Sequence, residues 1–139
     1  MNAVKTFVDT NVLIYAFTSD EPDKQAIALK YIDACLPVIS TQVLKEFSNV
    51  LIKRGGVGQE IVKNTINEII NIAIVINEEP TLILNAIDMH GRYNFSFYDS
   101  LIIAAAAEAQ CKVLLSEDLH DGLVIEGKLS IVNPFRGIK

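Results

Sequence analysis

Cysteine and histidine are scarce in this 139-residue chain, with two of each. Cys35 and Cys111 are far apart and make no C-x-x-C spacing. No thiolate zinc site can be built from them, and their plain reading is as small core residues in a reducing cytosol. His90 and His120 have no partner at ligand spacing, and nothing proposes a Ser-His-Asp or Cys-His catalytic arrangement. Basic charge is also short. Lys and Arg number 12 against 17 Asp and Glu, a net charge of −5, where a surface that tracks phosphates wants the opposite sign. Neither a Walker A loop nor GxGxxG is present, so nucleotide binding has no motif behind it. The longest apolar stretches, such as 101–107, fall well short of the roughly 18 residues that span a bilayer. The opening Met1-Asn2-Ala3-Val4-Lys5 lacks the basic-then-apolar order of a signal peptide. A cytoplasmic protein without membrane attachment is therefore expected.

What is present is apolar and patterned. Half of the residues are hydrophobic and 21% are charged, which excludes a disordered chain. The length suits a single domain over residues 1–139, and no linker, repeat or low-complexity stretch interrupts it. Short β-rich runs at 4–8, 37–40, 73–76, 113–116 and 129–132 alternate with helical patterns, which favours an α/β fold with a mainly parallel sheet. The helices are expected at 12–17, from Pro22 to near Pro37, from an N-cap at Thr41 to Gly55-Gly56, then at 59–72, 82–90 and 99–110. A polar-aromatic loop is expected over 91–98, with Ser96-x-x-Asp99 forming a capping box.

In a parallel α/β sheet, strand ends and helix starts share one edge, and ligands bind outside the carboxyl ends of the strands. Four acids fall there. Asp9 follows the first strand, Glu46 lies in the helix after the second, Asp99 is in the first turn of the helix before the fourth, and Asp118 lies just past the fourth. Glu46 and Asp99 border apolar helix faces, where a carboxylate is costly unless paired or bound to a cation. Only Lys45 adjoins any of the four. Clustered acids without bases repel one another, and a hard divalent ion such as Mg²⁺ or Mn²⁺ resolves that repulsion. Two such ions would also cancel most of the net negative charge.

Each acid has a plainer reading alone. Asp9 suits a helix cap and Asp99 a capping box. Glu46 suits a solvated helical face, and Asp118 a turn residue. Glu117 and Asp121 flank Asp118 and could replace or assist it. Asp33, Glu60, Glu68, Asp88 and Glu108 read as solvated helical positions. Lys45, Lys53, Arg54 and Arg92 flank the edge or its loops, and are candidates for contact with a phosphate backbone.

The stretches Phe7-Val8-Asp9-Thr10-Asn11-Val12-Leu13-Ile14-Tyr15, the Glu46 helix, Tyr98-Asp99-Ser100-Leu101-Ile102-Ile103-Ala104-Ala105-Ala106 and Leu114-Leu115-Ser116-Glu117-Asp118 resemble the successive motifs of PIN-domain proteins, above all the VapC-like toxins of toxin–antitoxin pairs. The resemblance runs from Phe7 to Phe135. It implies a three-layer α/β/α fold with about five parallel strands in the order 3-2-1-4-5. It also implies a Mg²⁺- or Mn²⁺-dependent endoribonuclease whose catalytic and metal-holding acids are Asp9, Glu46, Asp99 and Asp118. Asn11 and Ser116 would line the same pocket; Arg54, from its place beside the edge and not from the resemblance, is expected on the substrate. The partners so implied are RNA, a small cognate antitoxin and a second copy of the chain. A DNA-directed nuclease or phosphatase using the same acids, and a non-catalytic interaction protein, are the alternatives.

Overall fold

The structure, a computed structural model, describes residues 3–138. In chain order its elements are β1 (Lys5–Val8), α1 (Thr10–Phe17), α2 (Pro22–Asp33), β2 (Leu36–Ser40), α3 (Thr41–Arg54), α4 (Gln59–Ile72), β3 (Ile74–Ile76), α5 (Pro80–Tyr93), α6 (Phe97–Glu108), β4 (Val113–Leu115), β5 (Val124–Ile125) and β6 (Leu129–Val132). The strands make one six-stranded sheet in the order β3-β2-β1-β4-β6-β5. All pairings are parallel except β5 with β6.

The expected order is found, with β6 in the fifth place. The short antiparallel β5 is an addition at the edge. Two residues are too few for a periodic signal, and the tight turn that returns β5 to β6 puts Glu126 at φ 52° beside Gly127 at φ 68°. Both central residues are then left-handed, as hairpin turns that match strand twist require, and a glutamate is an unlikely advertisement for that.

Strands buried on both faces read as continuous apolar runs, because helices cover each side of a parallel sheet. Phe7, Val8, Val38, Ile39, Leu114, Leu115 and Ile131 are accordingly lost to solvent. Helix α6 is buried from Ser100 to Ala106, and its small alanines let it pack closely. Helix α4 is less covered than its isoleucines suggest. Val62 and Ile69 are inside, while Ile61 and Ile70 remain exposed.

Several boundaries differ from expectation. Ser40, not Thr41, caps α3 by accepting from the Val43 N–H, and the Thr41 hydroxyl pairs with Glu78 instead. Helix α5 continues through Gly91 to Tyr93 and ends at Asn94, which is left-handed at φ 63°; asparagine tolerates that conformation better than most residues. The expected 91–98 loop therefore shrinks to three residues, and α6 begins at Phe97. Ser96 supplies the forward half of the capping box, its Oγ accepting from the Asp99 N–H at 3.1 Å.

Ile103 sits fully buried in α6. Ile103→Ala is expected to cost about 2–5 kcal/mol through lost burial and the cavity left behind, read as a drop in denaturant midpoint. A loss under about 1 kcal/mol would contradict the central position of α6.

Candidate active site at the carboxyl edge of the sheet

Strand β1 lies between β2 and β4, with Val8 opposite Leu115. The Asp9 N–H continues the ladder, donating to the Leu115 carbonyl at 3.0 Å. Asp9 thus leaves the sheet at its centre, directly at the N-terminus of α1. One carboxylate oxygen accepts from the Thr10 N–H at 2.8 Å and the other from the Ser116 hydroxyl at 2.8 Å. The capping role is real, and it uses only part of the carboxylate's acceptor capacity.

A cavity of about 380 Å³ opens above this point, and Asp9, Glu46, Asp99 and Asp118 all line it. Among the described residues no Lys or Arg is in its walls. Thr10 donates its hydroxyl to Glu46 at 2.8 Å, so the residue after Asp9 orients the second acid. Asn11 donates to Asp118 at 2.9 Å and accepts from the Glu117 N–H. One turn at the start of α1 therefore touches three of the acids.

Burial pushes the Asp9 carboxyl up to about 6. The bonds from Ser116 and Thr10 oppose that shift, and the charges of Glu46 and Asp99 add to it. Desolvation and like charge both disfavour the ionised form. The four acids would offer oxygen donors, the kind a hard divalent cation prefers. Among the described residues no group of three or more His, Cys, Asp or Glu is gathered tightly enough to grip an ion. The four acids line one cavity without closing into a ready-made ligand cluster.

The flanking acids are engaged elsewhere. Glu117 accepts from Lys24 at 2.6 Å and from the Tyr15 hydroxyl at 2.8 Å. Burial works to raise its pKa, but the Lys24 ammonium and the Tyr15 hydroxyl outweigh it and hold the carboxyl below its ordinary value. Lys24 also sits over the Tyr15 and Phe135 rings. Asp121 caps the Asn133 N–H and pairs with Arg136. Asp118 is the acid of this turn that faces the cavity.

Ser116 is fully buried, so its hydroxyl serves Asp9 and offers substrate no surface. Arg54 pairs with Asp20 at 2.6 Å. It lines an adjoining cavity that shares Asn11, Ile14 and Val50 with the acidic one. Arg92 pairs with Glu126 and lines a different cavity, away from the acids. Lys45 borders the cavity on the other side of Glu46.

Sequence reasoning passed over Thr10, Gln42, Asn49 and Tyr98, which also line the acidic cavity. Gln42 and Asn49 stand four before and three after Glu46, the helical spacing that puts them on its face. Gln42 Nε2 donates to the Tyr98 carbonyl, while its buried Oε1 lacks a partner.

The PIN domain family profile matches residues 6–120. The chain belongs to the PIN domain family. Solved structures share the fold of this PIN domain. One is a chain of a toxin–antitoxin complex from Klebsiella pneumoniae, at a TM-score of 0.72 and 20% identity, covering 93% of this chain and 97% of that one. Another is Mycobacterium tuberculosis VapC20, described as a sarcin-ricin loop cleaving toxin, at 0.65 and 17%, covering 78% and 86%. A third is from VapBC2 of Rickettsia felis, bound to a promoter DNA fragment, at 0.68 and 14%, covering 93% and 99%. No curated protein matches this PIN domain in sequence.

The raised Asp9 value sets a pH dependence. Below 3.8 the carboxyl is protonated in folded and unfolded chains alike. Between 3.8 and about 6 the folded chain keeps a proton that the unfolded chain has lost. The stability of the metal-free protein therefore falls as pH rises through that window, by about 3 kcal/mol in all. Asp9→Asn should remove this slope and raise the metal-free melting temperature at pH 7, with little change at pH 4. Thermal melts in chelator check it, and a variant less stable at every pH would refute it.

Proposed function

We propose that this PIN domain is a divalent-metal-dependent endoribonuclease that acts as the toxin of a toxin–antitoxin pair. The single observation that carries the reading is that four acids, distant in the chain, line one cavity whose walls, among the described residues, contain no Lys or Arg. Burial and the neighbouring acids that push the Asp9 carboxyl up to about 6 are the kind of perturbation that clusters at functional sites.

In this reading Asp9 and Asp99 hold the cation directly, and Glu46 and Asp118 act through its waters. Mg²⁺ or Mn²⁺ bound there would lower the pKa of an attacking water and neutralise charge developing on the phosphate and the leaving oxygen. The Ser116 hydroxyl and the Thr10 N–H hold the Asp9 carboxylate, which lines the cavity. Thr10 and Asn11 hold Glu46 and Asp118 in fixed directions, which spares reorganisation when the phosphate arrives. Arg54 leaves Asp20 for an RNA phosphate, exchanging one ion pair for another.

The toxin–antitoxin assignment draws support from the VapC and VapBC structures that share this fold at low identity. A small antitoxin covering the acidic cavity and a second copy of the chain are the partners proposed. Exposed Ile83, Leu84 and Ile87 on α5 leave apolar surface for a protein to cover. A monomeric mass by light scattering would remove the second copy.

With Mn²⁺ present, the purified protein should cut single-stranded RNA and leave single-stranded DNA and a phosphomonoester intact. Asp99→Asn should lower the rate by at least about a hundredfold, since one lost electrostatic contact in the transition state costs that much. Arg54→Ala should flatten the salt dependence of RNA binding by about one slope unit. Full activity in Asp99→Asn, or equal cutting of DNA, would defeat the proposal.

A further inference from the structure

Tyr98 stands beside Asp99 and is 65% exposed, so most of its ring is open to a ligand. It is held there by its surroundings. Phe97 packs against it edge-on at 5.6 Å between ring centroids. Gln42 on α3 binds the Tyr98 carbonyl at 3.4 Å, tying the start of α6 to the helix that carries Glu46.

The ring also occupies a defined place in the surface. The acidic cavity and a second cavity of about 460 Å³ share Gln42, Glu46 and Tyr98. Tyr98 is therefore part of the wall between the acids and the neighbouring hollow, whose remaining lining is Lys45, Ile83 and Glu78, the last engaged by the Thr41 hydroxyl. A phosphodiester seated on the acids brings two nucleosides with it, one to each side. A nucleoside on the Lys45 side must pass Tyr98. Its base offers a π-face to an aromatic ring whatever its sequence, and aromatic rings beside unstacked bases are the common device of single-strand binding. Lys45, at the rim, would meet the next phosphate along.

We propose that Tyr98 is the stacking platform for the base of the nucleotide next to the scissile phosphate, which makes the hollow beside it a nucleoside subsite for unpaired RNA. This rests on the nuclease reading above and deepens it. The platform requires that the base be free of a duplex, so a double-stranded segment is excluded from the site by geometry rather than by sequence.

The test is steady-state cleavage, with Mn²⁺, of a short single-stranded RNA by the wild type, Tyr98→Phe, Tyr98→Leu and Tyr98→Ala. Stacking is worth about 1–3 kcal/mol per base. The Leu and Ala variants should therefore raise KM or lower kcat/KM by about fivefold to a hundredfold, while Tyr98→Phe stays within about threefold. Melting temperatures should be unchanged, because the ring is largely outside the core. An RNA made abasic on each side of the cut in turn separates stacking from simple bulk. At one of the two positions, the wild type and Tyr98→Ala should become equal. The chain has no tryptophan, so Tyr98→Trp introduces a single reporter whose fluorescence RNA should quench. Equal kcat/KM in wild type and Tyr98→Ala on intact RNA, with cleavage otherwise normal, would overturn the subsite alone and leave the ring to a protein partner. No cleavage and no RNA binding by the wild type would overturn the nuclease reading beneath it.

Discussion

A carboxylate removed from water at the centre of a parallel sheet sets the terms for everything around it. Asp9 is 9% exposed, and its charge is answered only by the Thr10 N–H and the Ser116 hydroxyl. Two hydrogen bonds and a helix N-terminus offset part of the desolvation cost. Glu46 and Asp99 then make the position worse. Such an arrangement costs folding free energy, and under the proposed function a bound cation would offset that cost by drawing the repelling carboxylates to itself.

The sheet order makes the arrangement possible. β1 has β2 on one side and β4 on the other, so the chain leaves in different directions from adjacent strand ends, and a crevice opens at the switch point. α3 brings Glu46 from one side, and the turn after β4 brings Asp118 from the other. That turn is braced from behind: Glu117 is locked by Lys24 and Tyr15, while its own N–H is held by Asn11. The positive charge of Lys24 is used up behind the site, so the cavity stays acidic.

The sheet and its edge were legible because apolar runs of strand length alternate with helical stripes, and because the parallel rule alone sends Asp9, Glu46, Asp99 and Asp118 to one edge. β5 was not legible, since a two-residue strand carries no period. The end of α5 was misplaced because Gly91 reads as a stop but is tolerated inside the helix. Within the site, the choice among Glu117, Asp118 and Asp121 needed three dimensions. Lys24 is 93 residues from Glu117 in sequence, and no spacing rule connects them. Thr10, Gln42 and Tyr98 were reachable in principle, as neighbours of the acids by sequence or by helical turn. Their roles emerged only when two helices met.

The central claim is that Asp9 is poised between a proton and a metal. Calorimetric titration of Mn²⁺ at pH 6, in two buffers of different ionisation heat, tests it directly. With the Asp9 carboxyl at about 6, binding should release about half a proton per ion at that pH, and Asp9→Asn should abolish the release and weaken binding. Binding with no proton release, or binding undisturbed in Asp9→Asn, would contradict the account.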